Sequence, residues 1–82
     1  MRMIIVSVNY QTDRGERSYD LEMPCEIPAA VLTQQICDAL GGYTGRPVSG
    51  RALFCARLNR QLAREETLEA AGIWNGDVLV LQ

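Results

Sequence analysis

Residues 3–10 read MIIVSVNY, with Ile4, Val6, Val8 and Tyr10 in strict alternation with Ile5, Ser7 and Asn9. A run of β-branched residues with period two specifies a strand, and one of its faces must be buried. The stretch Gln11 to Glu16 is polar, carries Asp13 and Gly15, and reads as a hairpin loop of several residues. Alternation then resumes in SYDLEMP, where Tyr19, Leu21 and Met23 share one face and Ser18, Asp20 and Glu22 the other, until Pro24 removes a ladder donor. The chain therefore opens with an antiparallel hairpin whose apolar face needs a cover, because a lone hairpin is marginal in water.

The cover follows directly. From Pro28 the sequence PAAVLTQQICDALGG begins with a proline suited to a first helical turn and continues with good helix formers. Ala29, Leu32, Ile36 and Ala39/Leu40 recur at helical spacing, with Thr33, Gln34 and Asp38 away from that stripe. The expectation is one amphipathic helix of about twelve residues, stopped at Gly41-Gly42. The next segment, GGYTGRPVSG, reads as a loop on its glycines and proline. Residues 51–71 are ambiguous. Phe54, Leu58 and Leu62 sit four apart, which favours a second helix, but ALFCA also suits a buried strand. In the strand reading Asn59 and Arg60 form a turn before a short strand at Gln61-Leu62, and Thr67 N-caps a helical turn through Ala71. A turn signal at residues 72–77 then leads into a last strand, Val78-Leu79-Val80-Leu81.

Composition narrows the chemistry. Eighty-two residues make a single domain, and its 48% apolar and 22% charged residues are those of a soluble globular protein. A formal charge of −2 gives no footprint for a phosphate backbone, so nucleic acid is not an expected partner. No stretch is long enough for a membrane span or a signal-peptide core, so direct membrane insertion is not expected. There is no histidine, which removes Ser-His and Cys-His nucleophilic pairs and the commonest metal ligand. Cys25, Cys37 and Cys55 lie 12 and 18 residues apart, matching neither a redox pair nor zinc knuckles, and read as reduced, buried thiols in a cytoplasmic protein. Glu65, Glu66 and Glu69, and Asp13 with Glu16, read as solvated charge rather than catalytic carboxylates. The glycine-rich stretch 41–50 lacks a phosphate-loop ending and a following helix. No cofactor or metal is expected. All eight basic residues are arginine, leaving no lysine amine to accept an isopeptide bond.

The stretch ALFCARLNRQLAREETLEAAGIWNGDVLVL resembles the ubiquitin superfamily: a strand, a tight turn, a short strand ending in Leu, then Thr67-Leu68, Ile73 and an alternating last strand. Taken with the hairpin and helix, the resemblance covers nearly the whole chain. Within the superfamily, Leu68, Ala71, Gly72, Ile73, Asn75, Gly76, Asp77, Leu79 and Leu81 resemble the YukD/EsaB proteins of bacterial type VII secretion. They also resemble the N-terminal ubiquitin-like domain of EccD, a membrane component of such systems. The fold implied is an α+β β-grasp: a mixed four- to five-stranded sheet on one main helix, order ββαββ, with a short helical turn before the last strand. The resemblance places Leu53 to Ala56 in the third strand and makes Leu62 the short fourth one, so the helical reading of residues 51–60 gives way. A chain ending at Leu81-Gln82 would lack the Gly-Gly tail that conjugated modifiers and sulfur carriers require.

If Leu53, Cys55, Leu79 and Leu81 face the helix, alternation sends Ala52, Phe54, Ala56, Val78 and Val80 to the opposite sheet face. That face would be exposed and apolar, centred on Phe54 and Val80, with Arg51 and Arg57 at its border. Trp74, in the turn before the last strand, would either anchor a partner or cap one end of the core. The resemblance implies a non-catalytic, cytoplasmic protein-binding module whose partners are components of a type VII secretion apparatus. The same face would also serve a homodimer. An alternative is a structural ubiquitin-like subunit of another assembly, such as the EccD domain or a small monooxygenase subunit.

Overall fold

A computed structural model describes residues 1–82. The first alternating segment becomes β1 (Met3–Thr12), with Ile4, Val6, Val8 and Tyr10 buried and Ile5 on the outer face. Its partner β2 (Gly15–Pro24) pairs antiparallel from Met3↔Pro24 to Thr12↔Gly15. The hairpin loop expected over Gln11 to Glu16 thus shrinks to Asp13-Arg14. Two local features let the ladder run to its tip: the Thr12 hydroxyl accepts from the Arg14 N–H and donates to the Gly15 carbonyl, and Gly15 takes a φ of +107°.

The helix α1 (Ala29–Thr44) lies across the inner face of the sheet and runs one turn beyond the expected stop. Gly41 and Gly42, in the last turn, each cost up to about 1 kcal/mol of helix propensity. That cost is offset by what the extra turn reaches: Tyr43 packs edge-on against Tyr19 at 5.4 Å, and the Thr44 hydroxyl donates to the Leu40 carbonyl at 2.7 Å. Gly45, left-handed at φ +72°, terminates the helix instead, its N–H donating to the Gly41 carbonyl. Thr33, expected to face solvent, is buried, and its hydroxyl is satisfied by the Ala29 carbonyl at 2.7 Å. Cys37 joins the buried stripe, whereas Ala39 is exposed.

The ambiguous half resolves as β3 (Leu53–Cys55), a four-residue turn, and β4 (Arg60–Gln61), paired through Phe54↔Gln61 and Cys55↔Arg60. Asn59 closes that turn at φ +54°, a conformation asparagine tolerates better than most side chains. The fourth strand sits one residue earlier than expected. Leu62 follows it and is buried, with its N–H on the Leu53 carbonyl. The short helix α2 (Leu68–Ala71) is capped by the Thr67 hydroxyl, which accepts from the Ala70 N–H at 3.0 Å, as the sequence predicts. The last strand, β5 (Val78–Leu81), enters the middle of the sheet, parallel to β1 and antiparallel to β3, giving the order β2-β1-β5-β3-β4. This is the five-stranded mixed sheet of a β-grasp. All three cysteines are buried and free, as expected.

One ion pair staples the loop that leads into α2. Arg60 holds Glu66 bidentately at 2.9 and 2.7 Å, and Glu66 also accepts the Ala63 N–H at 3.0 Å. The Arg60 hydrogen bonds, helped by the Ala63 amide, hold the Glu66 carboxyl down to about 2. A folded-state pKa below the unfolded one contributes stability that is present above about pH 4.5 and lost as pH falls towards 2. Because solvent reaches the pair, the contribution is well below the full linkage value. Urea unfolding at pH 5 and pH 2.5 checks this. Glu66→Gln should be the less stable protein at pH 5, and its deficit against wild type should shrink at pH 2.5.

Candidate functional site

The outer sheet face is built by the residues that alternate with the core. The register brings Phe54 opposite Val80, and sets Val78 beside Ser7 and Val80 beside Asn9. Phe54, Val78 and Val80 are half-buried, lying side by side on the adjacent strands β3 and β5. Sequence reasoning missed two contributors. Ile5 is 47% exposed on the same face of β1, and Met3 is 43% exposed two residues earlier. The signal was present, since both occupy the outward phase of β1, where Ser7 and Asn9 are polar. On β2 the outward positions are Glu16, Ser18, Asp20 and Glu22, so the face divides into an apolar strip on β5 and β3 and an acidic, polar strip on β2. The Ser7 hydroxyl donates to Asp20 at 2.6 Å along the boundary between them.

Arg51 and Arg57 stand at opposite ends of β3, so they do bracket Phe54, but their situations differ. Arg51 is exposed and forms no ion pair; its backbone N–H donates to the Gln82 carbonyl. The Arg57 guanidinium is engaged inside the domain. It grips Asp77 through Nε and Nη2 at 2.8 and 2.9 Å, and Nη2 also donates to the Gly72 carbonyl at 2.6 Å. Its planar group lies 3.8 Å from the centre of the Trp74 ring, a cation–π contact. Asp77 is only 8% exposed, and it also accepts the Trp74 N–H at 2.7 Å. The Arg57 hydrogen bonds, and then the Trp74 amide, hold its carboxyl below the usual range against the opposing effect of burial.

Trp74 is 64% exposed, so it does not cap the core. The turn that carries it is fixed from both sides. Asn75 accepts the Ile5 N–H at 2.7 Å, the Gly76 N–H donates to the Ile5 carbonyl at 2.7 Å, and Gly76 adopts φ +87°. A large, amphipathic ring is thereby held in the turn joined to Ile5, at the end of the sheet where β5 begins. No group of three or more histidine, cysteine, aspartate or glutamate side chains is arranged to hold a metal ion.

The model of the family described as "WXG100 protein secretion system (Wss), protein YukD" matches residues 3–81. The chain belongs to the YukD family. No curated protein matches it. Among solved structures, this YukD-family chain is similar to a chain of protomer 1 of the ESX-3 core complex, with 27% identity and a TM-score of 0.69, covering 99% of this chain and 18% of that one. It is also similar to a chain of an ESX-5 inner membrane complex, with 18% identity and a TM-score of 0.72, covering 100% of this chain and 21% of that one. The ubiquitin of Caldiarchaeum subterraneum shares the fold at 20% identity, with a TM-score of 0.67, 99% of this chain and 95% of that one being covered. The ubiquitin-like fold read from the sequence thus holds. The chain spans about a fifth of the length of the ESX chains it matches.

Proposed function

We propose that this YukD-family domain is a non-catalytic binding module of a type VII, WXG100-type secretion apparatus, working in the cytoplasm and docking another component through its outer sheet face. The observation that carries this reading is the strip of Ile5, Phe54, Val78 and Val80 beside an exposed Trp74, on a sheet face that α1 does not cover. Apolar centres of this kind supply most of the binding energy of protein interfaces, and aromatic residues dominate their hot spots. Trp74 and Phe54 are the anchors in this reading, Arg51 the charged rim, and Arg57 the support that holds Trp74. The family and the likeness to chains of ESX complexes support a secretion component as the partner. Neither nucleic acid nor lipid is needed as a partner, and no helix is long and apolar enough to cross a membrane.

The test is photo-crosslinking in cells from position 54, followed by affinity measurement with the captured component. Phe54→Asp and Val80→Asp, with folding confirmed by circular dichroism, should weaken that component's binding by at least about tenfold. Unchanged affinity would remove the sheet face as the docking site. Capture of a second copy of this chain alone would make the face a homodimer interface.

A second reading is supported by length. Because the chain matches about a fifth of each ESX chain, the domain would serve as a structural, EccD-like part within a larger assembly.

A further inference from the structure

The ten-residue strands of the hairpin carry the inner sheet face out to the side of the last turn of α1, and a cleft of about 680 Å³ opens there. Its floor is aromatic. Tyr10 stacks on Tyr19 with ring centres 6.2 Å apart, and Tyr19 meets Tyr43 edge-on. Its walls are cationic: Arg14 at the hairpin tip, Arg17 on β2 and Arg46 after the helix all line it. Arg2, Arg57 and Arg60 each pair with a carboxylate of the domain, whereas none of these three does. In a chain of net charge −2, three guanidiniums without a carboxylate partner line one concavity that contains a single carboxylate, Asp13. Tyr43, 74% exposed, stands at its side as an amphipathic ledge.

We infer that this cleft is a second docking site, distinct from the outer sheet face, and that its occupant is an acidic segment of a partner protein, with carboxylates flanking an aromatic or aliphatic side chain. Guanidinium groups pair with carboxylates through parallel hydrogen bonds, and the tyrosine floor offers contact area to the intervening side chain. Charge complementarity selects an acidic occupant. The negative charge of the whole domain, and of the β2 outer face behind the cleft, repels an extended polyanionic surface such as a membrane, while a single peptide strand fits inside the concavity.

The probe is the blocked peptide Glu-Glu-Tyr-Glu-Glu, titrated into isotope-labelled domain and followed by amide chemical shifts. Its glutamine counterpart, inorganic phosphate and phosphatidylglycerol vesicles are titrated in parallel. The acidic peptide should shift amides of residues 10–19 and 43–49, with affinity falling as salt is raised. The double variant Arg17→Glu/Arg46→Glu should lose at least about tenfold in affinity, because it replaces attraction by repulsion. Phe54→Asp should leave this binding unchanged, so the cleft and the sheet face succeed or fail separately. Arg17 and Arg46 are exposed and Phe54 is half-buried on the outer face, and spectra of the free variants confirm that the fold is kept. The inference is overturned if the cleft amides do not move, if the glutamine peptide binds equally well, if the charge-reversed variant retains full affinity, or if phosphate or vesicles occupy the cleft more tightly than the peptide.

Discussion

Leu79→Ala should lower the thermal midpoint of this domain by roughly 10–30 °C. Leu79 has no solvent exposure and lies on the inward phase of β5, the strand in the middle of the sheet, opposite Cys55 on β3 and beside Val8 on β1. Truncating a fully buried leucine costs about 2–5 kcal/mol, from lost burial and the cavity left behind. An 82-residue domain has only about 4–12 kcal/mol in total, and at this size each kcal/mol moves the midpoint by about 4–8 °C. Val80→Ala, one residue along on the half-buried outer face, is the internal control and should cost under about 1 kcal/mol. Thermal melts followed by circular dichroism decide the matter. Equal midpoints for the two variants would mean that the two faces of β5 are not differentiated as described.

Asp77→Ala should cost about 2–3 kcal/mol and loosen the Trp74 turn at the same time. The carboxylate accepts two bonds from Arg57 and one from the Trp74 amide while nearly buried, so its removal leaves those donors without their partner. Arg57 would still reach the Gly72 carbonyl but would lose the group that holds it over the indole. Trp74 is the sole tryptophan, which makes its fluorescence a direct reporter of that stack. The expected result is a lower urea midpoint together with an altered emission spectrum of the folded protein. Asp77→Asn, which retains an acceptor for the Trp74 amide, should fall between the two. An unchanged spectrum in Asp77→Ala would show that the indole is positioned by its backbone alone. If Trp74 is an anchor of the proposed interface, the loss of orientation in Asp77→Ala also weakens binding there.

The outer face shows why part of the candidate site could be found from the sequence. Phe54, Val78 and Val80 follow from alternation once Leu79 and Leu81 are assigned to the core, because a strand has only two faces. Ile5 obeys the same rule but lies some seventy residues away in sequence, and only the parallel pairing of β1 with β5 puts it on the same surface. Arg57 is the opposite case. Its position beside β3 is local, but its engagement depends on Asp77, twenty residues on, and no periodicity encodes that contact.

The sequence by itself determined the strands with clear alternation, the helix between them, the Thr67 cap and the turn before β5, because each depends on the period of burial or on the backbone preferences of a few adjacent residues. The tertiary structure decided what local preference left balanced or got wrong. Residues 51–62 carry a helical spacing, yet they form β3 and β4 because β5 offers Leu53, Phe54 and Cys55 a ladder, which no contact within the segment could replace. The first turn of α1 has no side-chain cap, and the N–H groups of Ala29 and Ala30 are satisfied instead by the carbonyls of Glu66 and Arg64, supplied from a loop thirty-odd residues away. Its last turn passes through two glycines because Tyr19 waits on the hairpin to receive Tyr43. In each case the deciding partner lies far along the chain, so its contribution exists only once the fold has brought the two together.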